Sequence, residues 1–176
     1  WAAGYPSRAS LYYPMMMRWD GSEWDVSSLG LLGRRGGALL SVRARTDQVT
    51  WAVGYKVGSS GQRPLAIRRV GTKWRESSPR VAEEATGVLM DIDARNDRDA
   101  WGVGWLADRS APQPYLTHWD GSRWIAARPE LSGSEGALTS VAMLASDDVW
   151  AVGYRIVAGT YKPMVQHWDG RRWRMS

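Results

Sequence analysis

Apolar and polar residues along the chain form short runs that are separated by turn-forming residues. Toward the C-terminus four such runs stand out, at residues 138–145, 149–156, 163–168 and 172–175. Short runs rich in Val, Trp and Tyr, with turn residues every 8–12 positions or so, are typical of an all-β fold. No apolar pattern with a helical period of about 3.6 residues persists long enough to compete. The pattern therefore predicts strands and no long helix.

The four-run pattern recurs with a nearly constant period. A Trp-Ala-Val-Gly-Tyr motif or a close variant begins at Trp1, Trp51, Trp101 and Trp150, at intervals of 50, 50 and 49 residues. The prolines and glycines keep the same register, and so does a second tryptophan at Trp24, Trp74, Trp124 and Trp173. A constant period of this length indicates one supersecondary unit used repeatedly. Four short strands per unit predict the blades of a β-propeller, and a β-helix solenoid is disfavoured because its repeats are usually shorter.

The register divides the chain into blades of a single propeller unit spanning residues 1–176. The predicted blades are 1–28, which lacks the strand before Trp1, then 38–78, 87–128 and 137–176. An open ring leaves strand edges and apolar faces uncovered. The alternatives are a closed four-bladed ring, a ring shared with a second chain, or part of a longer propeller with additional blades. We favour a partial propeller, in which residues 2–5 pair with a strand from elsewhere. A closed ring would instead bring residues 1–5 against 138–154.

The repeat resembles that of a known group of proteins. Asp148-Val149-Trp150-Ala151-Val152-Gly153-Tyr154, followed by His167-Trp168-Asp169-Gly170 and Trp173, is similar to the repeat of secreted, Trp-rich bacterial propellers of actinobacterial type. The Trp-Asp-Gly hairpin also resembles the Asp-box of sialidase-like propellers, although Asp and Gly are adjacent here. Kelch-like propellers and bacterial seven-bladed lectins have similar Trp-rich repeats. The resemblance implies a propeller fold and glycan or protein binding outside the cell, and assigns no ligand residue.

Composition narrows the function only slightly. The chain carries a net charge of +5, contains 12 Trp, and has neither Phe nor Cys. The absence of Cys excludes disulfides, thiol nucleophiles and cysteine metal sites. No apolar stretch approaches the roughly 18 residues of a membrane span. Basic residues become more frequent between Arg63 and Arg80, but without a run of like charges or a nucleic-acid motif, so a nucleic-acid partner is not expected.

Three motifs invite a chemical interpretation, and we expect each to be structural. The Asp of the Trp-Asp-Gly turn is expected to accept backbone N–H groups and hold its hairpin. His118 and His167, the only histidines, share one register in two repeats and lack further convergent ligands. Asp91 and Asp93 alternate on a strand without a calcium-loop glycine, so we interpret them as solvated acids. No metal site and no cofactor is therefore expected.

Binding residues are expected in the segments that vary between repeats, 6–13, 56–63, 106–113 and 155–162. In a propeller these segments, which link the second and third strands, share one face with the blade-to-blade connections. Variable loops on a rigid repeated scaffold usually carry the ligand contacts. Aromatic faces and charged donors suit sugars and polar ligands, which selects as candidates Tyr12, Tyr13, Arg63, Arg109, Tyr161 and Lys162.

The sequence shows no phosphate loop, no nucleophile elbow and no metalloprotease helix motif. We therefore expect a non-catalytic module that binds glycan or protein on an extracellular bacterial surface. Two alternatives remain: part of a propeller enzyme such as a glycosidase, whose carboxylates would lie roughly 5–10 Å apart, or a structural subunit of a larger assembly.

Overall fold

A computed structural model describes residues 1–8, 11–47, 49–108, 111–130 and 133–176, which are built almost entirely from strands. The strands in chain order are β1 (Ala2–Gly4), β2 (Ser7–Arg8), β3 (Leu11–Tyr12), β4 (Met15–Trp19), β5 (Trp24–Ser27), β6 (Gly37–Ala44), β7 (Thr50–Gly58), β8 (Gly61–Val70), β9 (Lys73–Glu76), β10 (Thr86–Asn96), β11 (Asp99–Ala107), β12 (Gln113–Trp119), β13 (Trp124–Ala127), β14 (Gly136–Ala145), β15 (Asp148–Val157), β16 (Thr160–Trp168) and β17 (Trp173–Met175).

The strands form four successive antiparallel sheets, one for each sequence repeat. Sheet 1 has the order β1-β4-β5, and sheets 2, 3 and 4 have the orders β6-β7-β8-β9, β10-β11-β12-β13 and β14-β15-β16-β17. Strands β2 and β3 form a small separate hairpin. The only helical element of the described residues is a 3₁₀ turn at Leu32–Arg34. The all-β, propeller-like prediction is confirmed, and sheet 1 lacks an innermost strand, as its sequence predicts.

The loops that link the second and third strands are shorter than the variable segments predicted from the sequence. In sheets 2 and 4 the strands continue through most of them, and pairing extends to Gly58 with Gly61 and to Val157 with Thr160. Ala158 and Gly159 have φ values of 49° and 73°. Two consecutive positive φ values are typical of the tight hairpin turn that matches the strand twist. Most of the predicted loop surface is therefore strand.

The core lies between successive sheets. One buried cluster joins sheets 1 and 2, a second joins sheets 2 and 3, and a third joins sheets 3 and 4. A large apolar residue that recurs at a fixed register is expected to be buried between blades, and Trp51 and Trp101 are 1% and 2% exposed within these clusters, whereas Trp1 and Trp150 are only partly buried. Burying a large apolar side chain contributes about 2–3 kcal/mol. The repeated tryptophan is thus one of the main contacts between a sheet and its successor.

The two outer sheets have uncovered faces. Val152 is 42% exposed, although its repeat equivalents Val53 and Val103 are fully buried, and Trp150 is only partly buried. On sheet 1, Trp19 and Trp24 are each 47% exposed. Within the described part of the chain, the buried clusters join only successive sheets. The four sheets therefore form an open arc, and the pairing of residues 2–5 with another strand stays a prediction.

Asp91 and Asp93 do not behave as solvated acids, which corrects the interpretation of their sequence pattern. Asp91 accepts hydrogen bonds from the hydroxyls of Ser41 (2.6 Å) and Ser140 (2.8 Å), which belong to the innermost strands of the two adjacent sheets. Asp93 is 7% exposed, accepts the backbone N–H of Met143, and forms an ion pair with Arg43 (2.7 Å). These carboxylates connect three innermost strands, a role that one repeat alone cannot reveal.

Candidate functional site

The outer edges of the sheets form three equivalent grooves, one at each junction between sheets. In each groove, residues that follow the outermost strand of one sheet meet the Trp-containing hairpin of the next. Groove 1, of about 460 Å³, is lined by Ser28, Leu29, Gly30, Thr72, Lys73 and Trp74. Groove 2, of about 500 Å³, is lined by Ser77, Ser78, Arg80, Trp119, Ser122, Arg123 and Trp124. Groove 3, of about 390 Å³, is lined by Trp101, His118, Ile125, Ala126, Ala127, Arg128, Trp168, Arg171, Arg172 and Trp173.

An aspartate holds the hairpins that wall grooves 2 and 3, and also the equivalent hairpin of sheet 1, whereas the hairpin at groove 1 has Val70 in this position. The Oδ1 atom of Asp120 accepts the backbone N–H groups of Ser122 (2.8 Å) and Arg123 (2.9 Å). Asp20 and Asp169 accept the two equivalent N–H groups in their own turns. The glycine after each aspartate has a positive φ, for example 98° at Gly121, which favours glycine. The predicted structural role of this turn is confirmed.

The turn hydrogen bonds also lower the pKa values of these carboxyl groups. The Ser122 hydroxyl, followed by the backbone N–H groups of Arg123 and Ser122, lowers the pKa of Asp120 to about 2. Backbone N–H groups, first those of Glu23 and Arg172, likewise lower the pKa of Asp20 and Asp169. Donors to a carboxylate favour its ionised form. The hairpins of sheets 1, 3 and 4 therefore each carry a negative charge at neutral pH that is engaged within the turn, and the sheet 2 hairpin at groove 1 carries none.

The tryptophan of each hairpin attaches the groove to the preceding sheet. The indole N–H of Trp74 donates to the hydroxyl of Ser27 (3.0 Å), and that of Trp124 donates to the carbonyl oxygen of Ser77. Both acceptors lie three residues after the equivalent tryptophan of the preceding repeat. In groove 3 the equivalent position is Ala127, and the indole N–H of Trp173 has no acceptor among the described residues.

The two histidines support the tryptophans beside them. His118 stacks on Trp101 at a centroid distance of 4.7 Å and is hydrogen-bonded through Nε2 to Asp99 (2.8 Å). His167 repeats this arrangement with Trp150 and Asp148. In sheet 2 the same register carries Arg68, whose guanidinium lies over Trp51 and Trp119. The register supplies a planar polar group to cover an indole, which agrees with the structural role predicted for both histidines.

The site residues predicted from sequence are distributed over different repeats. Tyr12 is 48% exposed and contacts Tyr5 in an edge-on arrangement (5.0 Å between centroids), and the backbone N–H of Tyr13 donates to the carbonyl of Pro6. Tyr161 is 68% exposed and contacts Tyr154, and Lys162 beside it is exposed. Arg109 lies outside the described residues. No single pocket brings these side chains together in the described part of the chain, and their binding role stays a prediction.

Arg63 has a structural function that its loop position did not suggest. Its guanidinium donates to the carbonyl oxygens of Val81 (3.2 Å), Ala82 (3.0 Å), Glu83 and Ala85 (3.3 Å). Four carbonyl acceptors occupy most of the donors of one guanidinium. Arg63 therefore anchors the connection between sheets 2 and 3, and few of its donors remain for a ligand.

The grooves themselves were missed at the level of sequence. The sequence contained one signal for them. Residues three and four positions after the outer tryptophan of one repeat meet the basic residue that precedes the outer tryptophan of the next repeat, which is Lys73, Arg123 or Arg172. These positions are far apart along the chain, and they meet only because successive sheets pack face to face.

Two further findings concern metal binding and membrane-spanning helices. Within the described ranges, no group of three or more His, Asp or Glu side chains is arranged to hold a metal ion. The described residues also contain no helix of the length and apolarity that a membrane crossing requires. In comparisons with known proteins, no family model matches this chain and no curated protein sequence matches it.

Proposed function

We propose that the protein is a non-catalytic binding module that takes glycans in the grooves between its sheets. The observation that carries this proposal is the threefold recurrence of a groove that combines an indole with a basic side chain next to it in sequence. Trp74, Trp124 and Trp173 are buried or partly buried, and the part of each indole that lines its groove offers an apolar contact to the C–H groups of a sugar ring. The flexible basic side chain offers hydrogen-bond donors to ring and hydroxyl oxygens.

Repetition strengthens the proposal because each groove need bind only weakly. Shallow, solvent-exposed sites of this kind are expected to have modest individual affinity. When linked sites engage the same ligand, overall avidity can exceed the single-site affinity by about 10²–10⁴. A repeating polysaccharide presents equivalent units to all three grooves, whereas a small soluble metabolite uses only one.

The experiment compares two surfaces on the same scaffold. One variant combines Lys73→Ala, Arg123→Ala and Arg172→Ala in the three grooves, and its matched control combines Tyr12→Ala, Tyr161→Ala and Lys162→Ala in the variable hairpins. All six side chains are exposed, so both variants are expected to fold. Binding is measured to a panel of immobilised oligosaccharides.

The expected result is loss of glycan binding in the groove variant and retention in the hairpin variant. Loss in the hairpin variant alone would transfer the function to the residues predicted from sequence. Absence of glycan binding by the unmodified protein would overturn the proposal and favour a protein ligand, whereas hydrolysis of a bound oligosaccharide would favour the glycosidase alternative. The repeat resemblance supports an extracellular bacterial location, which we propose together with this function.

We also propose that the uncovered faces of sheets 1 and 4 meet in a second copy of the chain. The specific observation is that Val152 is 42% exposed although Val53 and Val103, its equivalents, are buried by the next sheet. One chain carries both faces of this repeated interface, one on sheet 1 and one on sheet 4. A head-to-tail contact between two copies therefore covers each of them. Sedimentation velocity should show a dimer that Val152→Glu converts to monomer, and a monomeric unmodified protein would contradict the contact.

A further inference from the structure

Groove 3 differs from its two equivalents in charge. Groove 1 contains one basic residue, Lys73, and groove 2 contains two, Arg80 and Arg123, of which Arg123 lies 3.7 Å from the carboxylate of its own turn aspartate, Asp120. Groove 3 contains Arg128, Arg171 and Arg172, all exposed. Among the described residues, none of these three arginines forms an ion pair. The groove therefore concentrates positive charge that the fold does not use.

The carboxylate nearest to these arginines in sequence is already engaged. Asp169 accepts the backbone N–H groups of Arg171 and Arg172 (2.9 Å each) through Oδ1, and its Oδ2 atom forms an ion pair with Arg174 (3.0 Å). Arg174 is not among the residues that line groove 3. The charge of Arg172 also helps to lower the pKa of Asp169, but none of the three groove arginines forms an ion pair among the described residues.

The inner wall of groove 3 also has unused hydrogen-bond donors. The indole N–H groups of Trp101 and Trp173 have no acceptor among the described residues, and the two side chains are only 2% and 4% exposed. In the other two grooves the equivalents of Trp173 are paired with Ser27 and Ser77. A buried donor without a partner is costly, so the packing behind groove 3 is less well satisfied than that behind its two equivalents, and the indole N–H signals of both residues report on changes in the groove.

We propose that groove 3 is a subsite for an acidic sugar, a uronic acid unit whose carboxylate binds the arginines while its ring lies against the partly buried indole of Trp168. Guanidinium groups bind carboxylates through two parallel hydrogen bonds, which a neutral sugar cannot offer. The inference rests on the proposed glycan function and specifies the ligand class for one of its three grooves.

The test compares a galacturonic acid tetrasaccharide with its neutral galactose counterpart by titration calorimetry. We expect the acidic tetrasaccharide to bind at least about tenfold more tightly, because a hydrogen bond to a charged group contributes more than a neutral one. Arg172→Gln should weaken it by about tenfold and leave the neutral tetrasaccharide nearly unchanged. Arg174→Gln, with the same loss of charge at a residue that does not line the groove, is the matched control and should bind normally.

Nuclear magnetic resonance identifies the location independently. The indole ¹⁵N–¹H signals of Trp101 and Trp173 should shift on addition of the acidic tetrasaccharide, and inorganic sulfate at equal ionic strength should not reproduce the shifts. If sulfate displaces the sugar at a lower concentration, the groove recognises anions without the ring and the inference is overturned.

The remaining outcomes separate this inference from the function on which it rests. Equal affinity for the two tetrasaccharides would overturn the acidic subsite and leave glycan binding intact. Equal weakening by Arg172→Gln and Arg174→Gln would show attraction to net charge alone and also overturn the subsite. If the protein binds neither tetrasaccharide and no member of the oligosaccharide panel, both proposals are overturned together.

Discussion

Gly104 occupies the position at which the repeat tolerates a side chain least. It faces a bulge in β10, where the strand register shifts between Leu89 and Asp91. A Cβ atom at this position would lie 1.9 Å from the carbonyl oxygen of Val88, a backbone atom that no side-chain rotation can remove. Cβ atoms essentially never approach other heavy atoms more closely than 3.0 Å, so strands β10 and β11 would have to separate by about 1 Å.

The free-energy change of Gly104→Ala follows from this displacement. Separation weakens the ladder hydrogen bonds beside the bulge, each of which contributes about 1 kcal/mol. It also strains the buried side chains of Val103 and Leu89, and such overpacking costs about 1–3 kcal/mol. Alanine reduces the entropy of the unfolded chain and returns about 0.5–1 kcal/mol. The net loss of unfolding free energy is expected to be about 2–4 kcal/mol, equivalent to a fall in Tm of about 5–12 °C for a chain of this size.

The sequence repeat provides an internal control. Gly4 is the equivalent glycine of sheet 1, which has no innermost strand, and a Cβ atom there meets nothing within 4 Å. Gly4→Ala is therefore expected to leave the unfolding free energy unchanged or slightly raised. Urea unfolding followed by tryptophan fluorescence measures both variants. If Gly104→Ala lies within about 0.5 kcal/mol of the unmodified protein, the typical range for surface substitutions, the bulge and its register are incorrect.

Three further predictions test other parts of the structure. Trp51→Ala should lower the unfolding free energy by about 3–5 kcal/mol. Trp150→Ala should lower it clearly less in the monomer, because the indole of Trp150 is only partly buried. Equal losses of unfolding free energy in urea would contradict the open arc. Asp93→Ala should cost about 2 kcal/mol in the same assay, since the buried N–H of Met143 loses its acceptor, and a neutral result would remove the inner-strand contact. The turn bonds of Asp120 hold its pKa at about 2, so their stabilisation is complete above about pH 4 and is lost as pH falls toward 2; a carboxyl midpoint near 4 in a ¹³C titration would contradict this.

Local chemistry within one repeat determined much of what the sequence predicts correctly. The Trp-Asp-Gly turn depends on an acceptor, the positive-φ glycine that follows it, and backbone N–H groups two and three positions after the acceptor, so its geometry is complete within a few residues. The strand order within each sheet follows from short connections between consecutive runs. The burial of Trp51 and Trp101 follows from a large apolar residue that recurs at a fixed register.

Only the packing of one sheet on the next decided the remaining features. Asp91 and Asp93 resemble exposed strand acids until two other innermost strands place donors beside them. In the sequence Arg63 has the position of a free loop cation, but in the structure the connection between sheets 2 and 3 presents four carbonyl groups to it. The exposure of Val152 cannot be distinguished from the burial of Val103 by any local property of the two residues.

The grooves illustrate the same division for the candidate site. The sequence places a basic residue before three of the four outer tryptophans, Trp74, Trp124 and Trp173, but the opposite wall belongs to the preceding repeat, some 45 residues earlier. Arg128 and Arg172 come together because two sheets stack in a fixed rotation, a distance relation that no pattern within a single repeat encodes. Sequence periodicity thus determined the repeating unit, and contacts between units decided which polar groups are shared, covered or left free for a ligand.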